Sequence, residues 1–239
     1  MKPILIIKAG TTFEATARAF GDFEDWTIRG MGLSKDAVRV LAVFRNESLP
    51  TDDSFCGVVV TGSHAMVTDR EPWSEELAGW IRGIIERGTP FLGLCYGHQL
   101  LAYAMGGHVG NHPRGREIGT VRIEIEDKGA GDELISILPR EFLGHVTHTQ
   151  TVLRLPPGAL ILASNAFEPH HAIRVGECAW GVQFHPEFEA AIMRSYINEQ
   201  SLGLKAEGLD ISSLRSGVVE TPHAAKILQR FASLVKAGK

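Results

Sequence analysis

The sequence predicts an α/β fold: an open, mostly parallel central sheet with helices on both faces and a smaller antiparallel region. Three observations point there. Short apolar runs alternate with longer amphipathic segments through the first part of the chain. A cysteine flanked by glycines, Gly93-Leu94-Cys95-Tyr96-Gly97, falls between a strand-like and a helix-like run. From about residue 117 to 184 the pattern changes to short strand-like runs separated by turn residues.

In chain order, Ile4 to Ile7 is a continuous apolar run, as expected of a strand covered on both faces. Val58-Val59-Val60 is a second such run and leads into Thr61-Gly62-Ser63. Pro72 to Arg87 reads as a helix, because Trp73, Leu77, Trp80, Ile81, Ile84 and Ile85 recur at three- and four-residue spacing. Pro72 and the Glu75-Glu76 pair mark its start, Ser74 is a candidate cap, and Gly88 is a stop. Its tryptophans read as core. Phe91-Leu92 enters the cysteine turn, and His98 to Met105 reads as the following helix, ended by Gly106-Gly107.

Thr120 to Ile125 alternates apolar and polar residues, as a half-exposed strand does. Further strands are expected at Val152 to Leu155, Leu160 to Leu162, Ala172 to Val175 and Trp180 to Phe184. They form an antiparallel or mixed part of the sheet that closes over the active side. Phe188 to Ile197 and His223 to Val235 read as helices, and residues 201–222 as a helical excursion or a mobile loop. No linker, repeat or low-complexity tract interrupts the chain, so residues 1–239 are expected to form a single domain.

Composition excludes several function classes. A formal net charge of −4 gives no electrostatic case for nucleic acid or an anionic membrane. The longest apolar runs fall far short of the roughly 20 residues that span a bilayer. The N-terminal run is too short for a signal-peptide core and reads as a first buried strand. Cys56, Cys95 and Cys178 are odd in number and widely spaced, which suits free thiols in a reducing cytoplasm rather than a disulfide framework. Cys56 and Cys178 are expected as buried small apolar groups. The histidines show no metal spacing; His98, His108, His112, His145, His170, His171 and His223 are expected to be solvated or hydrogen-bonded, and no metal or cofactor is expected. Asn111 to Arg116 is a short basic turn, read as a solvated loop.

The chemistry concentrates in two segments. In Gly93 to Gly97 the turn leaves no room for a Cβ beside the cysteine, and the thiol stands at a helix N-terminus, where the dipole favours thiolate. In Gln183-Phe184-His185-Pro186-Glu187, the proline biases His185 toward extended backbone, so His185 and Glu187 point the same way. Cys95, His185 and Glu187 are thus candidates for a catalytic triad in which Glu187 orients the imidazole. Such a set implies attack on a carbonyl, a thioester intermediate and hydrolysis. The oxyanion would need two main-chain donors: the N–H of Tyr96, and that of Gly62 in the neighbouring loop.

Together, Val60-Thr61-Gly62-Ser63, Gly93-Leu94-Cys95-Tyr96-Gly97-His98-Gln99 and Gly181 to Glu187 resemble the class I, triad-type glutamine amidotransferases. The resemblance is closest to the amidotransferase domain of GMP synthase and its stand-alone relatives, and spans roughly residues 40 to 195. It implies a flavodoxin-like fold in which Cys95 attacks the side-chain amide of glutamine, with Gln99 contacting the bound substrate. Thr147-His148-Thr149-Gln150 occupies the place of the family's substrate-holding loop but departs from its Ser-His-Gly-Asp, so Thr147, His148 and Thr149 are candidate substrate contacts. The synthetase loop Ser-Gly-Gly-x-Asp-Ser is absent, as is a Gly-x-x-x-x-Gly-Lys-Ser/Thr phosphate cradle, and the residues after His185 are too few for a synthetase. Ammonia would then pass to a separate synthetase.

Three alternatives share parts of this reading. A γ-glutamyl peptide or conjugate hydrolase would use the same triad with a larger amine as leaving group. A non-catalytic regulatory protein would keep the fold and not need Cys95. A cysteine-type α/β-hydrolase would need an essential Asp between residues 96 and 184, because its acid precedes the histidine.

Overall fold

The computed structural model describes residues 2–238. Its strands are β1 (Ile4–Lys8), β2 (Val38–Ala42), β3 (Gly57–Val60), β4 (Phe91–Leu94), β5 (His108–Asn111), β6 (Glu117–Ile125), β7 (Glu141–His148), β8 (Gln150–Arg154), β9 (Leu160–Ser164), β10 (Ala172–Val175) and β11 (Ala179–Val182). Its helices are α1 (Glu14–Phe20), α2 (Phe23–Met31), α3 (Pro72–Glu86), α4 (Tyr96–Ala104), α5 (Ala190–Glu199), α6 (Ser201–Ala206), α7 (Ile211–Ser216) and α8 (Pro222–Lys236).

Nine strands form one sheet in the order β2-β1-β3-β4-β11-β10-β9-β6-β7. The five from β2 to β11 run parallel. From β10 onward the pairing is antiparallel. The result is the mixed, mostly parallel sheet with flanking helices that the sequence predicts. The apolar run at Leu5, Ile6 and Ile7 is wholly buried because both faces of β1 are covered. One face packs against a cluster containing Ile28, Phe231 and Leu228, the other against one containing Leu77, Ile81 and Leu100.

Several local expectations need correction. Trp180-Gly181-Val182 joins the two parts of the sheet: β11 pairs antiparallel with β10 on one side and parallel with β4 on the other, in register from Ala179 opposite Phe91 to Val182 opposite Leu94. Val152 to Leu155 is not in the main sheet, since β8 pairs with β5 in a separate two-stranded ribbon. Ser74 does not cap α3; the N-cap is Glu71 with no side-chain bond, and the Ser74 hydroxyl instead shares a hydrogen bond with the Tyr96 hydroxyl at 2.5 Å. Residues 201–222 hold two short helices, α6 and α7, so the excursion is helical. Cys56 and Cys178 are half-buried rather than buried, resting against the edge of the core. His171 is fully buried without an ordinary hydrogen bond; its Nε2 lies 3.4 Å from a Glu117 carboxylate oxygen. Among the described residues no helix is long and apolar enough to cross a membrane, and no group of His, Cys, Asp or Glu is arranged to hold a metal ion.

Candidate active site

Cys95 stands between the end of β4 and the start of α4 with φ 48° and ψ −96°, a conformation disfavoured for any residue with a Cβ. The neighbours enforce it. A Cβ on Gly93 would sit 2.3 Å from the Gly97 carbonyl carbon and oxygen, and one on Gly97 would sit 2.5 Å from the Val60 carbonyl oxygen. The turn is therefore folded tightly onto itself and onto β3. The Cys95 N–H donates to the Val182 carbonyl at 2.8 Å, tying the turn to β11 as well.

The segment leaving β11 brings in the imidazole. The His185 N–H donates to the His145 carbonyl of β7 at 2.8 Å, and the ring stacks on Phe188 with centroids 4.1 Å apart. Its Nδ1 lies 2.8 Å from Glu187 Oε1, and both side chains are almost wholly buried. With Nδ1 tied to a carboxylate, Nε2 is the nitrogen left for the cavity, and it has no hydrogen-bond partner among the described residues. Burial opposes a charge on this ring. The Glu187 carboxylate and then the Cys95 sulfur favour it, and together they hold His185 above the ordinary imidazole value of 6.5.

Cys95 and His185 line one cavity of about 300 Å³. The expected substrate contacts Gln99, Thr147, His148 and Thr149 line it too, as does Tyr96 at the first position of α4. Gly62 sits against the ring of His185: a Cβ there would come within 3.1 Å of Cε1 and 3.3 Å of the Phe23 ring. The junction of β7 and β8, with Thr147 and His148 ending one strand and Gln150 opening the next across Thr149, rests on a buried polar cluster. His148 Nδ1 lies 2.9 Å from the Gln150 carbonyl, and Nε2 lies 3.1 Å from Glu117, a carboxylate that also accepts from Asn165. Burial raises the Glu117 carboxyl, but the hydrogen bond from His148 and the close approach of the His171 ring outweigh it and hold the group well below the usual carboxylate range.

Gln99 is less free than a substrate ligand would be. Its Nε2 donates to the Gln150 carbonyl and to Gln183 Oε1, each at 2.9 Å, so only its own carbonyl oxygen is left for a ligand. Gln183 in turn places its Nε2 3.4 Å from Cys95 Sγ.

The sequence reading missed several cavity residues. Phe13, His64 and Tyr196 form an aromatic wall, with the Phe13 and His64 rings 4.3 Å apart and the Phe13 and Tyr196 rings 5.2 Å apart. Thr12 bonds the Tyr196 hydroxyl at 2.7 Å. The turn carrying Thr12 and Phe13 is braced by Asp22, which accepts from the Thr12 N–H and pairs with buried Lys8 at 2.7 Å. Arg116, from the turn read as solvated, reaches the cavity and pairs with Glu207 and Gln200. No local signal marks these residues, because each is set in place by a segment far away in the chain.

A family model for class-I glutamine amidotransferases matches residues 32–202. GMP synthase (glutamine-hydrolyzing) of Aeropyrum pernix is 34% identical over 161 residues, which is 67% of this chain and 29% of that one. The same enzyme of Syntrophomonas wolfei is 35% identical over 193 residues, 77% of this chain and 36% of that one. The chain thus spans about a third of the length of these curated relatives. Among solved structures, a glutamine amidotransferase from Thermotoga maritima superposes with a TM-score of 0.76 at 21% identity, covering 98% of this chain and 97% of the other. A glutamine amidotransferase from Methylobacillus flagellatus does so at 0.72 and 25% identity, covering 100% and 94%.

Proposed function

The chain belongs to the class-I glutamine amidotransferase family, and from that premise we propose that it hydrolyses the side-chain amide of glutamine to glutamate and ammonia through a thioester on Cys95. The observation that carries this reading is the strained cysteine sharing a cavity with an imidazole whose far nitrogen is tied to Glu187 at 2.8 Å. Cys95 Sγ attacks the amide carbon. The tetrahedral oxyanion takes hydrogen bonds from the main-chain N–H groups of Tyr96 and Gly62. His185 gives its proton to the departing nitrogen, the C–N bond breaks, and ammonia leaves a γ-glutamyl thioester. His185 then takes a proton from water, which attacks the thioester; the C–S bond breaks, and glutamate leaves the Cys95 thiolate beside a protonated His185, ready for the next cycle. Glu187 fixes the ring so that Nε2 performs both transfers. Gln99, Thr147, His148 and Thr149 hold the amino-acid end of the substrate.

Ammonia passes in this reading to a separate acceptor enzyme. The relatives named GMP synthase motivate a synthetase as that acceptor. Residues 1–239 act as a single domain, a view supported by one core cluster that unites β1, β4, β11 and α8. Action in the cytoplasm is part of the proposal and rests on three unpaired cysteines.

A second reading keeps the same machinery but releases a larger amine from a γ-glutamyl peptide or conjugate. The aromatic wall of Phe13, His64 and Tyr196 favours it, since ammonia needs no apolar surface. Acid quenching during turnover, followed by mass spectrometry, tests both readings. A γ-glutamyl adduct on Cys95 is expected from glutamine, and Cys95→Ala should release no ammonia. A γ-glutamyl benzylamide turned over faster than glutamine would move the conclusion to the second reading. No adduct from any γ-glutamyl amide would overturn both.

A further inference from the structure

We propose that Gln183 is an additional catalytic residue, donating a side-chain N–H to the sulfur of Cys95, and that Gln99 is the positioning residue that fixes which end of the Gln183 amide faces it. The inference rests on Cys95 being the nucleophile, as proposed above.

The orientation follows from donor and acceptor logic. The main-chain carbonyl of Gln150 can only accept, so the Gln99 amide must turn its NH2 group that way, at 2.9 Å. The same NH2 group is 2.9 Å from the Gln183 side chain, which must answer with its oxygen. Reversing Gln183 would set two donors against each other with no water to separate them, since Gln183 is wholly buried and Gln99 nearly so. The NH2 end of Gln183 is thereby committed to Cys95 Sγ, 3.4 Å away.

The backbone supports this placement. The Gln183 N–H donates to the His171 carbonyl at 2.9 Å. Gln183 also follows directly on β11 and lies two residues before His185, and from there its amide reaches Cys95 while the His185 ring enters the cavity that Cys95 lines. Cys95 thus has a neutral donor in Gln183, while the imidazole of His185 lines the same cavity with Nε2 unpartnered among the described residues. A fixed N–H favours the sulfur as an anion and holds its direction of attack without competing for the proton that His185 must move.

The titratable or charged groups that share the cavity with Cys95 are His64, Tyr96, Arg116, His148, His185 and Tyr196, with Glu187 behind His185. Gln183 carries no charge. A pH profile displaced by Gln183→Met therefore reports a lost donor and not a changed field.

The test measures alkylation of Cys95 by iodoacetamide against pH, read by peptide mass spectrometry, beside steady-state glutamine hydrolysis. In Gln183→Met the alkylation profile is expected to move upward by about 1 pH unit, with kcat falling about 10- to 100-fold and KM staying within about twofold. Gln99→Met leaves the donor in place but frees its orientation, and a smaller displacement in the same direction is expected. A folded Gln183→Met protein with the parental profile and kcat overturns the inference. In the unaltered protein, the side-chain amide protons of Gln183 should shift in NMR spectra with the same pH midpoint as Cys95 alkylation, and protons that do not respond overturn it without any variant. Failure of the underlying reading looks different: Cys95 is then alkylated no faster than Cys56 and Cys178 before any residue is changed.

Discussion

Cys95 is held at φ 48°, a conformation that costs on the order of 1–3 kcal/mol and persists only because the surroundings leave no alternative. The strain directs the sulfur into the cavity with His185. The other two cysteines lack this setting. Burial raises the thiols of both Cys56 and Cys178, and neither lines the cavity. At neutral pH, iodoacetamide should therefore label Cys95 at least about tenfold faster than either. Equal labelling of all three by mass spectrometry would count against an activated thiol.

The His185–Glu187 pair makes a second prediction at this scale. Replacing Glu187 with Gln should lower kcat about 100-fold or more, because the ring loses the partner that fixes its tautomer and stabilises its charge. Stability should change with it in a pH-dependent way. The folded ring binds its proton more tightly than the unfolded one. Its contribution is thus complete below the unfolded value of 6.5 and is lost as pH rises through the raised folded value. The melting-temperature gap between the parental protein and Glu187→Gln should be widest near about pH 6 and narrow in alkaline solution. A gap that widens with pH would contradict the assignment.

At the scale of elements, the elbow depends on the glycines at 93, 97 and 181. Gly93 and Gly97 allow β4, α4 and β3 to approach backbone to backbone. Gly181 of β11 leaves room for the His98 ring, whose Nδ1 would lie 2.7 Å from a Cβ there. Because the nearest atoms to Gly93 and Gly97 are main chain, relaxation cannot come from a rotamer change. Gly93→Ala and Gly97→Ala should each destabilise by about 3 kcal/mol or more, with activity lost in whatever folds. Gly181→Ala meets a side chain as well as backbone, so a milder loss is expected. Urea denaturation of the three variants ranks them, and a Gly93→Ala protein of parental stability would show that the elbow is not so tightly closed.

On the scale of the whole molecule, the cavity lies where two kinds of sheet meet. The parallel strands β3, β4 and β11 deliver Gly62, Cys95 and His185 at their carboxyl ends, and the antiparallel β7 delivers Thr147 and His148 at its own end, just before Thr149. Joining these parts buries several histidines. Burial lowers His98 to about 3 and His145 to about 4. Both fold neutral, whereas in the unfolded chain they bind protons below the ordinary value of 6.5. The unfolded state then holds more protons, and stability falls as pH is lowered, by about 1.4 kcal/mol per pH unit for each ring. The urea midpoint should decline steadily from about pH 6 to about pH 4, and His145→Gln should make that decline shallower. An unchanged slope would mean that His145 takes up its proton without penalty in the folded protein.

What the sequence determined by itself was whatever short-range sterics and periodicity dictate. The apolar runs at Ile4 to Ile7 and Val58 to Val60 identify buried strands. The glycines around Cys95 identify the elbow, and the spacing of His185 and Glu187 points to two side chains that can meet, although they do so across a turn at residues 186–187 and not along the extended segment expected. The order of three motifs identifies the family. Local pattern was weaker for α1, α2 and β7, which are short or irregular in hydropathy, and α2 is secured by an Asp22–Asp25 capping box whose meaning shows only in context. Tertiary structure alone decided that β11 lies beside β4, that Arg116 reaches the cavity, and that Phe13, His64 and Tyr196 share a wall. It also turned Gln99 toward Gln183 and Gln183 toward the sulfur. The reason is physical: steric and propensity terms act within a few residues, whereas a cavity is made by packing and hydrogen bonds between segments whose separation along the chain leaves no trace in either one alone.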